Sequence, residues 1–246
     1  MFIYLKSRNP YKTYFVVAFV FIQSPLAAQN NVLGGWYLVN LNYHLNKKFT
    51  LYSEIQTRSQ HVLNDFYYRE LKGGVSYNFP GKQSVFVGFG NYKTYTYPGN
   101  FKELEVNENR IWEQFNMSHN IGRVKIEHRY RIEQRWLNGD YFNRFRYRLA
   151  TTTPINHSRL TDNTLFMSVY DEIFFTDKPP YFIRNRIFLG PGYQFSKLLT
   201  IQTGFLRQFD YRTSDNGSGK NYIVFSLLFI ARKVDPEKST HHEDAD

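Results

Sequence analysis

The sequence predicts an all-β protein, a single closed antiparallel transmembrane β-barrel that begins after a cleaved signal peptide. The first observation behind this is the stretch from Lys125 to Trp136. Its odd positions carry Lys, Glu, Arg, Arg, Glu and Arg, and its even positions Ile, His, Tyr, Ile, Gln and Trp. Side chains of a strand alternate faces, so one face is charged and the other largely apolar. A run of about a dozen residues is roughly twice the usual soluble strand and matches a tilted strand that crosses a bilayer. The second observation is the aromatic content of 19%, high for a soluble domain and suited to interfacial girdles. The third is a mean hydropathy of −0.52. A helical span has to be apolar all round, whereas a barrel strand is apolar on alternate residues only, so a polar average is expected.

Residues 1–28 read as an export signal. Lys6, Arg8 and Lys12 form a positive start, Tyr14 to Ile22 an apolar core, and Leu26-Ala27-Ala28 before Gln29 a cleavage site. The core is too short to span a membrane as a helix, and Pro25 closes it. The chain has no cysteine, so neither a lipid-anchored cysteine nor a disulfide framework is available. Cleavage leaves 28 Lys and Arg against 21 Asp and Glu, a net +7. Glu interleaved among Arg in an exported chain argues against nucleic acid as a partner. The expected partner is outer-membrane lipid. Residues 29–234 read as one barrel domain and 235–246 as a polar tail.

Eleven period-two segments follow, at 35–45, 48–60, 65–79, 83–97, 108–121, 123–136, 141–153, 162–175, 181–195, 198–212 and 220–232. None of the chain after the signal reads as helix or linker. The connections alternate in kind. Asn46-Lys47, Pro80-Gly81-Lys82, Ile121-Gly122 and Ser196-Lys197 are tight, with a longer member near 154–161. Those at 61–64, 98–107, 137–140, 177–180 and 214–219 are longer or richer in turn residues. Short turns mark the periplasmic rim of an outer-membrane barrel and longer loops its outside. On that assignment the first and last strands both run inward. Closed antiparallel barrels of this kind need an even strand number, so twelve strands are expected, with ten as the alternative.

One phase of the segments is apolar, as in Val39, Leu41 and Tyr43, or Val85, Val87 and Phe89, or Leu165, Met167 and Val169. The other holds the candidate lumen-lining cluster: Glu54, Arg58, Lys125, Glu127, Arg129, Arg131, Glu133, Arg135, Arg144, Arg146, Arg148, Glu172, Arg184 and Arg186. An isolated charge in a narrow interior is costly, so these side chains must pair or face water. Arg69, Lys93, Glu113, Gln134, Asn143, Asp171, Asn185 and Arg207 fall in the apolar phase, each in the half of its segment nearer the longer loops. Charge on a lipid face is expensive at mid-bilayer and cheap near the interface, which places the apolar belt toward the periplasmic rim. A soluble sandwich or lipocalin-like barrel would instead bury the apolar face and wet the charged one.

The stretches Arg110-Ile111-Trp112-Glu113-Gln114, His128 to Trp136 and Phe145-Arg146-Tyr147-Arg148-Leu149 resemble a family of Gram-negative outer-membrane β-barrel proteins catalogued only as a domain of unknown function. The resemblance covers essentially all of 29–233. It implies location and architecture and supplies no catalytic or binding residues.

The charged cluster has two readings. As a lumenal constriction, its arginines supply fixed donors to small polar or anionic solutes. As a structural network, it fills a narrow barrel with ion pairs and conducts nothing. Passive passage of solutes through an Arg-rich lumen is the leading function, and a closed structural or surface-interaction barrel the alternative. A membrane-embedded hydrolase would need a Ser–His pair oriented by a third group. Ser118 and His119 are neighbours and point to opposite faces, and His128 has no serine in its phase. No catalytic residue is assigned. The tail, with His241, His242, Glu243 and Asp244, reads as disordered rather than as a metal site. No cofactor is expected, and the barrel is expected to be a monomer.

Overall fold

A computed structural model describes residues 32–213 and 217–233; the expected signal peptide and polar tail lie outside them. Strand-forming alternation produces eleven strands: β1 (Leu33–His44), β2 (Phe49–His61), β3 (Asn64–Phe79), β4 (Gln83–Tyr95), β5 (Leu104–Ile121), β6 (Val124–Leu137), β7 (Asp140–Pro154), β8 (Thr164–Thr176), β9 (Phe182–Gln194), β10 (Leu199–Asp210) and β11 (Ser218–Arg232). Each pairs with its sequence neighbours, and β1 pairs with β11 to close a barrel. The eleven segments expected are the eleven observed. The inferred count of twelve, or ten, is corrected to eleven, and the wall is not antiparallel throughout. An odd number leaves β1 and β11 running the same way, and they join in parallel from Leu33–Asn221 to His44–Arg232. Evenness is required only of a wall whose every ladder is antiparallel. The slanted bonds of one parallel pair satisfy the same backbone groups, so no strand edge is left open.

The end where β1 finishes is here called proximal and the other distal. Proximal connections run from 2 to 9 residues and distal ones from 2 to 8, so the expected contrast in loop length is not present. Val62-Leu63 and Asn138-Gly139 each turn the distal end in two residues, while 155–163 is the longest proximal connection. Asn138 and Gly139 both have positive φ, 50° and 97°, the two-residue hairpin turn whose twist matches its strands.

Paired residues can be followed around the wall. From His44 they run through Thr50, Ser76, Phe86, Gln114, Arg131, Arg146, Phe174, Arg184 and Asp210 to Ser218. Ser218 lies 14 residues before Arg232, the partner of His44 across the parallel seam. Such a stagger in eleven strands tilts them by about 40° and gives a backbone cylinder about 22 Å across.

Outward positions are apolar and exposed, with Ile55 at 62%, Leu71 at 61% and Phe89 at 66%. Inward positions are buried and often charged, including Glu54, Glu70, Glu133 and Glu172. One apolar cluster does lie inside: Trp36, Phe188, Leu206, Tyr222 and Val224, behind β1, β9, β10 and β11. Inner rings lie flat on the wall where a side chain is missing. A Cβ on Gly88 would come within 2.4 Å of both Phe86 and Trp112, so glycine is what lets these rings lie there.

Aromatic side chains gather outside at both ends. Proximally Phe49 meets Tyr77 (5.2 Å between centroids) and Tyr193 meets Phe195 (4.6 Å). Distally Trp136 meets Tyr141 (5.5 Å), and Phe182 meets Phe175 (5.2 Å) and Tyr211 (4.6 Å). The eight polar residues named above in the apolar phase stand between seven residues (Asp171, counted from Thr164) and eleven (Asn143, counted from Pro154) from the proximal ends of their strands, whereas His128, also outward, stands four from Val124. Glu113 is at the middle of β5 rather than in its distal half, because β5 begins at Leu104. Glu113 accepts a hydrogen bond from the Gln134 amide at 3.0 Å, and Asp171 from the Asn185 amide at 2.5 Å.

The absence of native cysteine makes the seam testable. Val39 and Leu227 are paired across it, and laddered Cα atoms fall within disulfide reach. Val39→Cys combined with Leu227→Cys is expected to cross-link on oxidation and shift the mobility of the denatured chain. Val39→Cys with Leu71→Cys should not. If neither pair cross-links in the folded protein, the eleven-strand closure is wrong.

Candidate functional site

Alternation sends one side chain in two to the enclosed face, and all eleven strands line a cavity of about 1070 Å³. Its lining runs from His44, Thr50 and Asn78 near the proximal end to Thr94, Leu137 and Lys220 near the distal one. Neutral Asn40, Asn42, Ser76 and Asn116 line the proximal part of β1, β3 and β5, and the charge collects further up.

Four carboxylates organise that charge. Glu133, fully buried, accepts Arg144 Nε at 2.7 Å, Arg146 Nη1 at 2.5 Å and Arg131 Nη1 at 3.4 Å. Glu172 takes Arg129 Nη2 at 2.5 Å and Arg146 Nη2 at 2.8 Å, with Arg186 at 3.7 Å. Arg146 therefore bridges the two. Glu108 is held by both Nε and Nη2 of Arg110, each at 2.7 Å, and by Arg135, whose Nη2 lies at 2.8 Å. Glu70 meets Lys72 at 2.5 Å, Arg58 at 3.8 Å and the Tyr68 hydroxyl at 2.5 Å, while Lys72 also binds Glu54. Further round, Arg184 pairs with Asp210, and Gln208 joins Arg186 (2.8 Å) to Asp210 (2.8 Å).

Guanidinium faces lie on rings: Arg58 on Trp36 at 3.6 Å, Arg110 on Tyr92 at 3.6 Å, Arg135 on Phe142 at 4.4 Å and Arg146 on Phe174 at 4.6 Å. In this part of the lumen eleven cations (Arg58, Lys72, Arg110, Arg129, Arg131, Arg135, Arg144, Arg146, Arg148, Arg184 and Arg186) share six carboxylates (Glu54, Glu70, Glu108, Glu133, Glu172 and Asp210), a surplus of five positive charges. At the distal rim, hydrogen bonds from the Asn143 amide hold the Asp177 carboxyl below the usual carboxylate range.

Of the expected cluster, Glu54, Arg58, Arg129, Arg131, Glu133, Arg135, Arg144, Arg146, Arg148, Glu172, Arg184 and Arg186 stand in this region. Lys125 and Glu127 do not join it. They pair with each other at 2.8 Å nearer the proximal end, with side chains 34% and 42% exposed. Sequence reasoning missed Glu108, Arg110 and Asp210, together with the rings Trp36, Tyr92, Trp112 and Phe174. Glu108 and Arg110 share the inward phase of Gln114 and were legible by that spacing. His128 accepts or donates to the Tyr147 hydroxyl at 2.9 Å and stacks on His119 at 5.6 Å, so its partner is a phenol and not a serine.

Removing the acceptor of three buried guanidinium groups leaves uncompensated charge. Glu133→Gln is expected to lower the unfolding free energy by about 3–5 kcal/mol, read from the urea midpoint in detergent micelles. Glu127→Gln, on the exposed pair, should cost less than about 1 kcal/mol. Equal midpoints for the two variants would show that water, not Glu133, compensates those arginines.

No curated protein and no solved structure matches this chain. A family model described as a protein of unknown function, DUF2490, matches residues 33–219, essentially the wall from β1 to the start of β11, with the eleven cations and six carboxylates of the lumen inside it. The chain belongs to that family.

Proposed function

We propose that this protein is an outer-membrane β-barrel that passes small anionic solutes passively through its lumen. The observation that carries the reading is an apolar outer belt, bounded by aromatic rows, around a cavity whose cations outnumber its carboxylates. At a tilt of about 40° each residue climbs about 2.5 Å, so seven to eleven residues of apolar wall stand roughly 18–28 Å tall, against about 25 Å for an outer-membrane barrel. Polar outward residues above that height suit headgroups, which supports a periplasmic proximal end. The signal-like start at 1–28 supports export. A soluble barrel would carry its faces the other way round.

Arginine suits the proposed cargo because its planar fork binds oxyanions, and carboxylates interleaved among the arginines keep any one site from holding a solute too long. A single chain encloses the cavity. A closed structural barrel is the second reading, and it is favoured by one observation: Glu133, Glu172 and five arginines are knit into a network that spans the inner face of β6 to β9.

Planar bilayers discriminate the two. The refolded protein is expected to give single-channel steps with chloride favoured over potassium, and Arg131→Ala or Arg146→Ala should shift the reversal potential toward zero. A silent bilayer sinks the passage reading in favour of the closed barrel. The lipid-facing assignment has its own test. Val39→Arg, on the outer belt between Ile55 and Leu227, should cost about 2–4 kcal/mol of folding stability in lipid vesicles; no measurable loss would mean that Val39 faces water.

A further inference from the structure

We propose that Arg129 and Arg148, with the Tyr170 hydroxyl, form a lumenal binding site for a phosphate group. The proposal rests on the lumen being open to solutes from at least one end. Its starting point is register. The two-residue turn between β6 and β7 sets Arg129 directly opposite Arg148 and Arg131 directly opposite Arg146. Like charges facing each other across a ladder repel, so two such pairs in succession call for anions.

The protein supplies them unequally. Arg131 and Arg146 share Glu133, and Arg131 also donates twice to Gln114 Oε1, at 2.8 and 2.5 Å. The other pair depends on Glu172, which already serves Arg146 and Arg186 as well as Arg129. Arg148 is aligned with Glu172, yet among the described residues it has no ion pair and no hydrogen bond. What it touches is the Tyr170 ring, 5.1 Å away. The Nε of Arg129 is buried without a partner. The Tyr170 hydroxyl likewise has no hydrogen-bond partner among the described residues, and its ring is fixed by stacking on Phe188 at 5.0 Å. Arg129, Arg148 and Tyr170 come from the consecutive strands β6, β7 and β8, and all three line the cavity.

The free fork of Arg148, the donors of Arg129 that Glu172 does not take and a phenol thus stand in one place where positive charge is undercompensated. Chloride would engage few of these donors at once. A tetrahedral oxyanion spreads charge over several acceptors, and its doubly charged form balances both arginines. Phosphate therefore fits better than a halide.

The test is titration calorimetry of the refolded full chain in micelles with inorganic phosphate at low ionic strength. One saturable site is expected, weakened about tenfold or more by Arg148→Gln. Arg212→Gln, which removes a cation from the cavity lining near the distal rim, should change the affinity less than twofold. Arg148→Lys keeps the charge and loses the fork; it should fold like the wild type and bind with intermediate strength. Loss of affinity in Arg129→Gln as well would support the site independently of how Arg148→Gln folds. Absence of saturable phosphate binding, or equal losses in Arg148→Gln and Arg212→Gln, overturns the site. Phosphate block of chloride current separates the two proposals. Binding without channels supports the site and defeats passage, whereas channels without saturable binding defeat the site alone.

Discussion

A guanidinium group on the inner face of so narrow a wall can be satisfied by a carboxylate, by an amide oxygen or by the face of a ring. This barrel uses all three, and its interior is arranged around that need. Glu133 and Glu172 tie β6, β7, β8 and β9 together through Arg146, which donates to both. Gln114 and Gln208 serve as neutral acceptors for Arg131 and Arg186, whose nearest carboxylates are shared with other arginines. Rings complete the set, and they lie flat because glycines such as Gly88 yield their space. Desolvating an arginine costs several kcal/mol unless each donor finds a partner. The layered order of glycine, ring and guanidinium is thus a consequence of enclosing arginine, and it leaves little of the network free to rotate.

Closure with an odd strand number places a different demand on the wall. A parallel ladder is slightly less stable per residue than an antiparallel one, and here it joins the two ends of the barrel sequence. The interior beside it is the least polar part of the lumen: Trp36, Leu206, Tyr222 and Val224 pack together there. Arg58 covers Trp36, and Tyr222 reaches the Tyr67 hydroxyl at 2.8 Å. Outside, Tyr37 stacks on Phe225 at 5.7 Å across the same join. Apolar burial on both faces adds to the weaker hydrogen bonding, so the seam is held by side chains as much as by backbone.

Most of the wall was legible in the sequence because its information is local. A period of two reveals each strand and the face each residue takes, and all eleven segments were visible on that basis. Their number was misread only when a rule for wholly antiparallel walls was preferred to the count itself. Loop lengths misled for a related reason: turn chemistry at 138–139 makes a two-residue connection out of what looked like a longer loop. The site was harder. Arg148 and Arg129 were both assigned to the inner face, but nothing in either strand alone says that they oppose each other. That follows from the Asn138-Gly139 turn, which fixes the β6–β7 register. The rings beneath the arginines went unread because Trp112 and Phe174 alternate like any other strand residue, and only neighbouring strands show what lies on them.

The stagger of the wall links this architecture to what the lumen is proposed to do. Gln114, Arg131, Arg146, Phe174, Arg184 and Asp210 are paired in sequence from β5 to β10. With a stagger of this size such a row climbs the wall as it goes round. The arginines are therefore distributed along a spiral and do not form one ring at one height. A ring of unpaired cations would create a single deep well for an anion, tight in binding and slow in release. A spiral in which carboxylates recur divides the same charge into several shallower positions, and the Arg129–Arg148 pair is the point on it where the carboxylates fall short.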